Sequence, residues 1–424
     1  MIRTHSFPCN LPKDRADALN RESGRIYTRT MVEHYRVYRH SNHWISPRGL
    51  EKLIDAYETR DNTTRLLHAH SVDAAQQGFP KACKTAKANR GDGAHYPHKT
   101  KYLRTTSWKN TSIRKKDGLL LLALARGNDP VRIMLPSHLA GLPGDAFSEA
   151  RLVWDKAARH YFWHLVVEDG TFPPAEPPGD RIGAGDLGEV HPIATTDGEE
   201  AVVFCARELR SLVQNTARRL AIFSRLQSTK TKYSLAWWRL QVRKNKFLAE
   251  QERRIRDIEH KVSRAVVNWA VWRGLKELLL GDVRDVADKK RLRKKSQQKI
   301  SMWAHGRMRQ FITYKAAAAA ISVPLMNEAY SSQTCPRCGH RHKPKGRNFV
   351  CPACGFRCHR DIVGSVNILS RHTMGDVGRL MPPAETKYRH PFVRTGKRSR
   401  LDTAEMAGVQ RLHHHQRASE ATGL

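Results

Sequence analysis

The spacing of apolar positions changes several times along the chain, and each change marks a new element class or a break. Residues 1–16 read as a short lead-in with room for one strand. Between 17 and 95, apolar residues recur at helical spacing in two stretches, SPRGLEKLIDAYETR and TTRLLHAHSVDAAQQGFPKACKTAKA. RGDGAHYPHK then punctuates the pattern. From 101 to 170 the period shortens. DGLLLLALA, DPVRIMLP and ARLVWDKAARHYFWHLVVED are apolar runs broken by Gly, Asp and Pro, and they predict the strands of a small β-barrel. TFPPAEPPGD (171–180) carries four prolines in ten residues and predicts a stiff linker at a domain boundary.

Past the linker, RIGAGDLGEVHPIATTDGEEAVVF predicts paired strands over 181–203. A long basic helical region follows, roughly 206–275. LKELLLGDV (275–283) is a short apolar run ending in a turn, which predicts a buried strand. A basic loop, a helix over roughly 302–320 and a second buried strand, ISVPLM, come next. DIVGSVNILSRH (361–372) has helical spacing. Beyond 372 the chain is rich in Arg, His and Pro without periodicity, and a basic tail without fixed structure is expected. His413, His414 and His415 are read as part of that tail.

Charge changes the picture. The 424 residues hold 75 Lys and Arg against 40 Asp and Glu, a formal net charge of +35. Few folded chains carry that self-repulsion without a polyanion to neutralise it, so nucleic acid is the implied partner and salt should weaken the binding. A membrane partner is not expected, because no segment approaches ~18 consecutive apolar residues. The start of the chain has no apolar core of signal-peptide type, which points to the cytoplasm. Lys81, Lys84 and Lys87 fall on one helix face. They are candidates for nucleic-acid contact, as are Arg218, Arg219, Arg239 and Arg243 of the long helical region, which reads as a hairpin along a nucleic-acid backbone. A solvated helix face is the alternative for each set.

Five of the eight cysteines fall within 24 residues, a metal-site pattern rather than a disulfide framework. Cys335 and Cys338 form one C-x-x-C knuckle, and Cys351 and Cys354 form a second after twelve intervening residues. Two knuckles closing on one Zn²⁺ give the tetrahedral Cys₄ shell of a structural site. Cys358 and His359 are then spare.

Three carboxylates sit at element ends. Asp186 lies in Ile-Gly-Ala-Gly-Asp-Leu-Gly, where the glycines are expected to admit a phosphate backbone. Asp361 opens a helix, and Glu328 follows a buried strand. Three such groups can hold two Mg²⁺ for phosphodiester hydrolysis. A lone acid at a helix start is otherwise an ordinary cap.

Asn327 through Gly339, Cys351 through Gly355 and His359 through Leu369 resemble the C-terminal signature of the TnpB family, transposon-encoded relatives and ancestors of type V CRISPR effectors. Asp186-Leu-Gly looks like the first RuvC motif, and Asp361 with Asn367 like the third. The resemblance is dense over 321–370 and looser over 181–320. It implies a multidomain α+β protein: a helical recognition lobe, a small β-barrel (the wedge) and an RNase H-like RuvC domain with an inserted zinc ribbon. On this reading 1–16 and 96–172 are the wedge and 17–95 the recognition domain. Residues 173–180 are the linker, and 181–330 are RuvC with its basic helical hairpin. Residues 331–358 are the ribbon, 359–371 the last RuvC helix and 372–424 the tail. The implied activity is an RNA-guided, metal-dependent endonuclease that pairs a guide RNA with double-stranded target DNA in a prokaryotic cytosol or nucleoid. Catalysis would rest on Asp186, Glu328 and Asp361.

One position departs from the family pattern. The second RuvC motif usually ends a strand in Glu-Asp, and here that glutamate is Gly281, followed by Asp282. The strand of 278–281 is expected beside ISVPLM, parallel to it, so that Glu328 supplies the missing acid while Asp282 points to the other face. The alternatives are an RNA-guided protein that occupies DNA without cutting, and a zinc-ribbon nucleic-acid-binding protein without a guide.

Overall fold

The chain divides at the proline-rich stretch: residues 1–172 form one unit and 173–424 another in a computed structural model that describes residues 2–61, 64–170, 172–282 and 305–391. The basic loop expected after 283 and the histidines at 413–415 lie outside the described residues.

The first unit begins with β1 (Ile2–Pro8) and α1 (Lys13–Ser41), then α2 (Pro47–Arg60), α3 (Ala69–Gln76) and α4 (Gly78–Ala88). Strands β2 (Thr106–Lys109), β3 (Ile113–Lys116), β4 (Leu119–Leu122) and β5 (Val131–Met134) follow. A single helical turn, α5 (Ser137–Ala140), precedes the long strands β6 (Phe147–Asp155) and β7 (His160–Glu168). Helix α1 was hidden in the sequence because its buried face mixes Ala16, Leu19, Ile26 and Met31 with Asp17, Asn20, Ser23 and Thr30. Those polar groups are paired. The Asn20 amide donates to Leu152 O and accepts from Thr106 N, and the Tyr161 hydroxyl donates to Asp17 at 2.7 Å.

The strands expected to close into a barrel form two separate sheets, one four-stranded in the order β1-β7-β6-β2 and one three-stranded in the order β3-β4-β5. A 3₁₀ turn at Asn110–Ser112 interrupts the chain between β2 and β3, so the ladder does not continue from one to the other. The sheets share one core, which includes Trp108 and Trp163 from the first and Leu120, Leu122, Val131 and Ile133 from the second.

The second unit is built on a six-stranded sheet. Its strands are β8 (Arg181–Leu187), β9 (Ile193–Thr196), β10 (Ala201–Phe204), β11 (Leu275–Gly281), β12 (Leu325–Met326) and, far along the chain, β15 (Thr386–Arg389). Between β10 and β11 lies the helical hairpin α6 (Arg207–Ser228) and α7 (Leu235–Trp272). Helix α8 (His305–Ala317) precedes β12. The short ribbon strands β13 (Asn348–Val350) and β14 (Arg357–His359) lead into α9 (Arg360–Met374). The sheet order is β12-β11-β8-β9-β10-β15. β11 runs parallel to both β8 and β12, while β9 is antiparallel to β8 and β10.

Strand β11 shows why the continuous apolar run in the sequence is a fully covered strand. Leu278 and Leu280 face α7 and α8, packing with Val262, Val266, Met308 and Ile312. Leu279 faces the other way, against Ile368 and Leu369 of α9. Alternate side chains thus fill two cores, one on each face of the sheet. Buried Glu200 ties the layers at the start of β10: its carboxylate accepts from Trp269 Nε1 at 2.9 Å and from Lys387 Nζ at 2.6 Å.

The second of those partners belongs to a segment the sequence places in an unstructured tail. Thr386–Arg389 instead adds β15 parallel to β10, with Ala201 opposite Thr386 and Phe204 opposite Arg389. Four residues with a polar pattern carry no periodic signal. Backbone pairing to a buried strand, rather than side-chain burial, places them. Among the described residues no helix is long and apolar enough to cross a membrane.

Candidate active site and metal centres

The C-terminal end of β8 carries Asp186. The glycines around it pack rather than open the strand. A Cβ at Gly183 would lie 2.7 Å from Leu275 Cδ1, and one at Gly185 would lie 2.8 Å from Ile193 Cδ1. Both are buried, so they serve close strand packing and not the approach of a phosphate backbone. Gly188 has a different task. A Cβ there would stand 2.6 Å from His191 O, so glycine lets the β8–β9 turn fold back tightly and bring His191 under the end of the strand.

Helix α9 crosses this strand end, and Gly364 makes the crossing possible. The Asp186 carboxylate occupies the space above it, with Oδ2 only 2.3 Å from where a Cβ would be. Burial there pushes the Asp186 carboxyl well above the ordinary aspartate range. The negative charges of Asp361 and Glu328 push it the same way, and Arg360 partly opposes them. Carboxylates from two other elements therefore act on Asp186 at this point.

Glu328 reaches the site from the turn after β12. Leu280 pairs with Leu325 and Gly281 with Met326, so β11 and β12 are parallel neighbours, as expected from the sequence. The Glu328 side chain fills the space that a side chain at position 281 would need: a Cβ on Gly281 would lie 2.8 Å from Glu328 Oε2. The turn is clamped from α9. Arg371 donates to the carbonyls of Asn327 and Ala329, and the Asn327 side chain accepts from Ala329 N at 2.9 Å. Burial first, and the charge of Asp282 second, raise the Glu328 carboxyl to about 7. Asp282 was expected to point away from the site; it is close enough to Glu328 to act on its charge, whereas the negative neighbours acting on Asp186 are Asp361 and Glu328.

Asp361 lies in the first turn of α9, where the helix dipole favours a negative charge. The helix is capped by His359, whose Nδ1 accepts from Asp361 N at 3.3 Å. Arg347, at the edge of the ribbon hairpin, pairs with Asp361 at 3.0 Å. Asn367, which the family pattern links with Asp361, is fully buried and wholly engaged with backbone. It donates to Ser331 O and Thr334 O and accepts from Gly378 N, which fastens the ribbon's lead-in to α9.

Among the described residues, two groups of three or more potential ligands have one ligand atom each within 4.8 Å of all the others. The first is the sequence-predicted Cys335, Cys338, Cys351 and Cys354. The sulfur contacts Cys335–Cys354 and Cys338–Cys351 are 3.7 and 3.6 Å. A tetrahedron with Zn–S bonds of ~2.3 Å has edges of about 3.8 Å, so the four sulfurs fit zinc. Gly339 and Gly355, each just after a knuckle, have φ of +70° and +71° and donate back to Cys335 O and Cys351 O. Cys358 is not one of the four and packs into the core beside them.

The second group was not foreseen: His191, His359 and Asp361. The trio Asp186, Glu328 and Asp361 is not such a group, although the charges of Glu328 and Asp361 act on Asp186. Burial, and then the charge of Arg347, hold His191 down at about 4, and burial also lowers His359. The only sequence signal was His191 five residues after Asp186, which a strand–turn–strand reading could have brought back to the site.

All seven basic candidates are exposed: Lys81, Lys84 and Lys87 on α4, Arg218 and Arg219 on α6, Arg239 and Arg243 on α7. The α4 lysines border a groove of about 610 Å³ whose walls include Trp44, Phe79 and Tyr96. The sequence reading did not single out that aromatic wall. The rings of Trp44 and Tyr96 pack at a 45° tilt with centroids 5.1 Å apart, a pairing without a periodic signature.

With this geometry in place, the comparisons with known proteins are specific. Residues 305–368 match the family described as Cas12f1-like, TNB domain. A TnpB-like protein of Methanocaldococcus jannaschii is 28% identical over 141 residues, which is 32% of this chain and 49% of that one. The match thus spans about half the length of the curated relative. The solved Cas12f1–sgRNA–target DNA complex contains a chain with TM-score 0.53 and 12% identity, covering 84% of this chain and 83% of that one. The architecture is therefore a mixed α/β multidomain fold of the Cas12 effector type. Over the matched residues the chain is similar to a TnpB-like protein and to the Cas12f1-like family.

Gly364→Ala should push the Asp186 carboxylate out of its seat, because a methyl group cannot share 2.3 Å with an oxygen. We expect a loss of about 1–3 kcal/mol in denaturant unfolding of the second unit. A crystal structure of the variant should show Asp186 turned away from α9. An unchanged carboxylate position and unchanged unfolding would contradict the packing described.

Proposed function

We propose that the chain is an RNA-guided DNA endonuclease that cuts target DNA by metal-dependent phosphodiester hydrolysis at a single RuvC-type site formed by Asp186, Glu328 and Asp361. The observation that carries the reading is that the charges of Asp361, from α9, and of Glu328, from the turn after β12, both act on Asp186 at the C-terminal end of β8, and open α/β sheets place their sites at such strand ends. The donors are all carboxylate oxygens, and burial first, then the charges of Asp361 and Glu328, raise the Asp186 carboxyl. Such a set fits hard divalent cations in an open site, with two Mg²⁺ the natural complement. When bound, such ions activate a water and stabilise the leaving oxygen.

The chain's own residues hold that arrangement in place. Gly364 seats Asp186, Arg371 fixes the turn that presents Glu328, and His359 caps the helix that presents Asp361. The guide RNA and the double-stranded target are the partners that the net charge of +35 calls for. In this reading 17–95 is the recognition domain and 1–16 with 96–172 the wedge. Residues 181–330 with 359–371 are the RuvC domain, and 331–358 is a ribbon holding structural zinc. The exposed Lys81, Lys84, Lys87, Arg218, Arg219, Arg239 and Arg243 contact nucleic acid, and the work is done in a prokaryotic cytosol. A second reading, guided binding without cutting, is favoured by one observation: the three carboxylates are not all within 4.8 Å of one another.

Cleavage of a guide-matched DNA duplex in Mg²⁺, with the RNA that co-purifies as the guide, separates the two readings. Asp186→Ala, Asp361→Ala and Glu328→Ala should each lower the cutting rate by at least about a hundredfold, on the order of 3 kcal/mol. RNA and DNA affinity should hold, since it comes from dispersed Lys and Arg contacts. Asp282→Ala should be much milder. Full cutting by the Asp186 or Asp361 variant would remove the RuvC assignment.

Elemental analysis of the purified protein should find about one zinc per chain, retained against mild chelation. Any one of Cys335→Ser, Cys338→Ser, Cys351→Ser or Cys354→Ser should lower the zinc content and loosen the ribbon. Absence of zinc from untreated protein would contradict the Cys₄ assignment.

A further inference from the structure

His191 has no task in the carboxylate reading and His359 only that of capping α9, yet both stand beside one of its members. His191 comes from the β8–β9 turn that Gly188 allows to close, and His359 from the residue that caps α9. Their ring centroids are 5.4 Å apart at an angle of 64°. One nitrogen from each and one oxygen of Asp361 lie mutually within 4.8 Å. His191 is 3% exposed, and its Nδ1 is buried without a hydrogen-bond partner. His359 Nδ1 accepts the long cap bond from Asp361 N at 3.3 Å, so the ring proton sits on Nε2, and the ring takes an ion through Nδ1 by giving up that bond. A cationic group already rests on the third member, where Arg347 reaches Asp361 at 3.0 Å from a half-exposed position.

We propose that His191, His359 and Asp361 form a binding site for a divalent transition-metal ion, so that one ion of the catalytic centre is held by two imidazoles and a carboxylate. This deepens the proposed function and rests on it, because Asp361 is shared with the carboxylate set. The donor chemistry sets the preference. Mg²⁺ binds oxygen ligands and waters, whereas imidazole suits first-row transition metals. The site should therefore select an ion such as Mn²⁺ over Mg²⁺. Arg347 holds the charge balance of Asp361 and would give way when the ion enters.

The test uses Mn²⁺ and the full chain with its zinc left in place, because Mn²⁺ has little affinity for thiolates. Free Mn²⁺ is counted by electron paramagnetic resonance during titration in excess Mg²⁺, and the bound ion is then examined by spin-echo modulation. The expected result is one Mn²⁺ per chain that resists Mg²⁺ and shows modulation from imidazole nitrogen. His191→Ala and the more conservative His191→Asn should each weaken binding at least about tenfold and reduce the modulation. Zinc content and circular dichroism equal to the parent chain would show that each variant is folded.

Bound Mn²⁺ without nitrogen modulation, or with affinity unchanged in folded His191 variants, would overturn the proposal. Should guided cleavage in Mg²⁺ still depend on Asp186 and Glu328 in that case, the carboxylate reading would stand while the histidine site fell. Nitrogen modulation in a protein that never cuts matched DNA would support the site and remove the nuclease reading.

Discussion

Negative charge gathered at the end of a buried strand is the constraint that the rest of the second unit serves. Asp186 is held where burial and two other carboxylates all disfavour its ionised form. A fold keeps such a cluster only when its frame is rigid enough to deny the groups an escape. The frame here is the parallel pairing of β8 with β11 and of β11 with β12, covered by α7 and α8 on one face and α9 on the other. Glycine appears where the frame is tightest, under Asp186 at Gly364 and in the turn at Gly188. Arg347 pairs with Asp361, and Arg360 partly opposes the charges acting on Asp186.

Position 281 shows how such a constraint can be met from a different place in the chain. Glycine at the end of β11 removes a carboxylate but also empties a volume. Glu328 enters that volume from the neighbouring strand, one strand spacing away. The two positions exclude each other sterically, so the acid at 328 and the glycine at 281 are two halves of one arrangement. Arg371 completes it by fixing the turn that carries Glu328 to the same helix that seats Asp186 and presents Asp361.

The sequence carried these features unevenly. The long apolar runs at 275–281 and the spaced cysteines were legible because burial on both faces and tetrahedral ligation impose their own patterns. Parallel neighbours at 281 and 326 were legible from chain order and strand length. Helix α1 was not, because its buried polar groups are satisfied by partners more than eighty residues away, such as Thr106 and Tyr161, which no local period reveals. Strand β15 was missed because an edge strand can be placed by backbone pairing alone. The glycines of the Asp186 motif were assigned to phosphate approach and turned out to face Leu275 and Ile193. His191 went unnoticed as a site residue because its nearness to Asp361 depends on a tight turn and on a helix 170 residues further along.

The central claim is that Glu328 stands in for an acid at position 281, and exchanging the two tests it most directly. Target-strand cutting should be measured for Gly281→Glu, Glu328→Ala and the double variant, with identical guide and duplex. Gly281→Glu alone should be impaired, since its side chain and that of Glu328 claim the same volume. The double variant, with the acid returned to β11 and the volume cleared, should recover cutting to within about tenfold of the parent chain, a deficit of no more than ~1.4 kcal/mol. A double variant as inactive as Glu328→Ala, or a Glu328→Ala chain that cuts at the parental rate, would contradict the account.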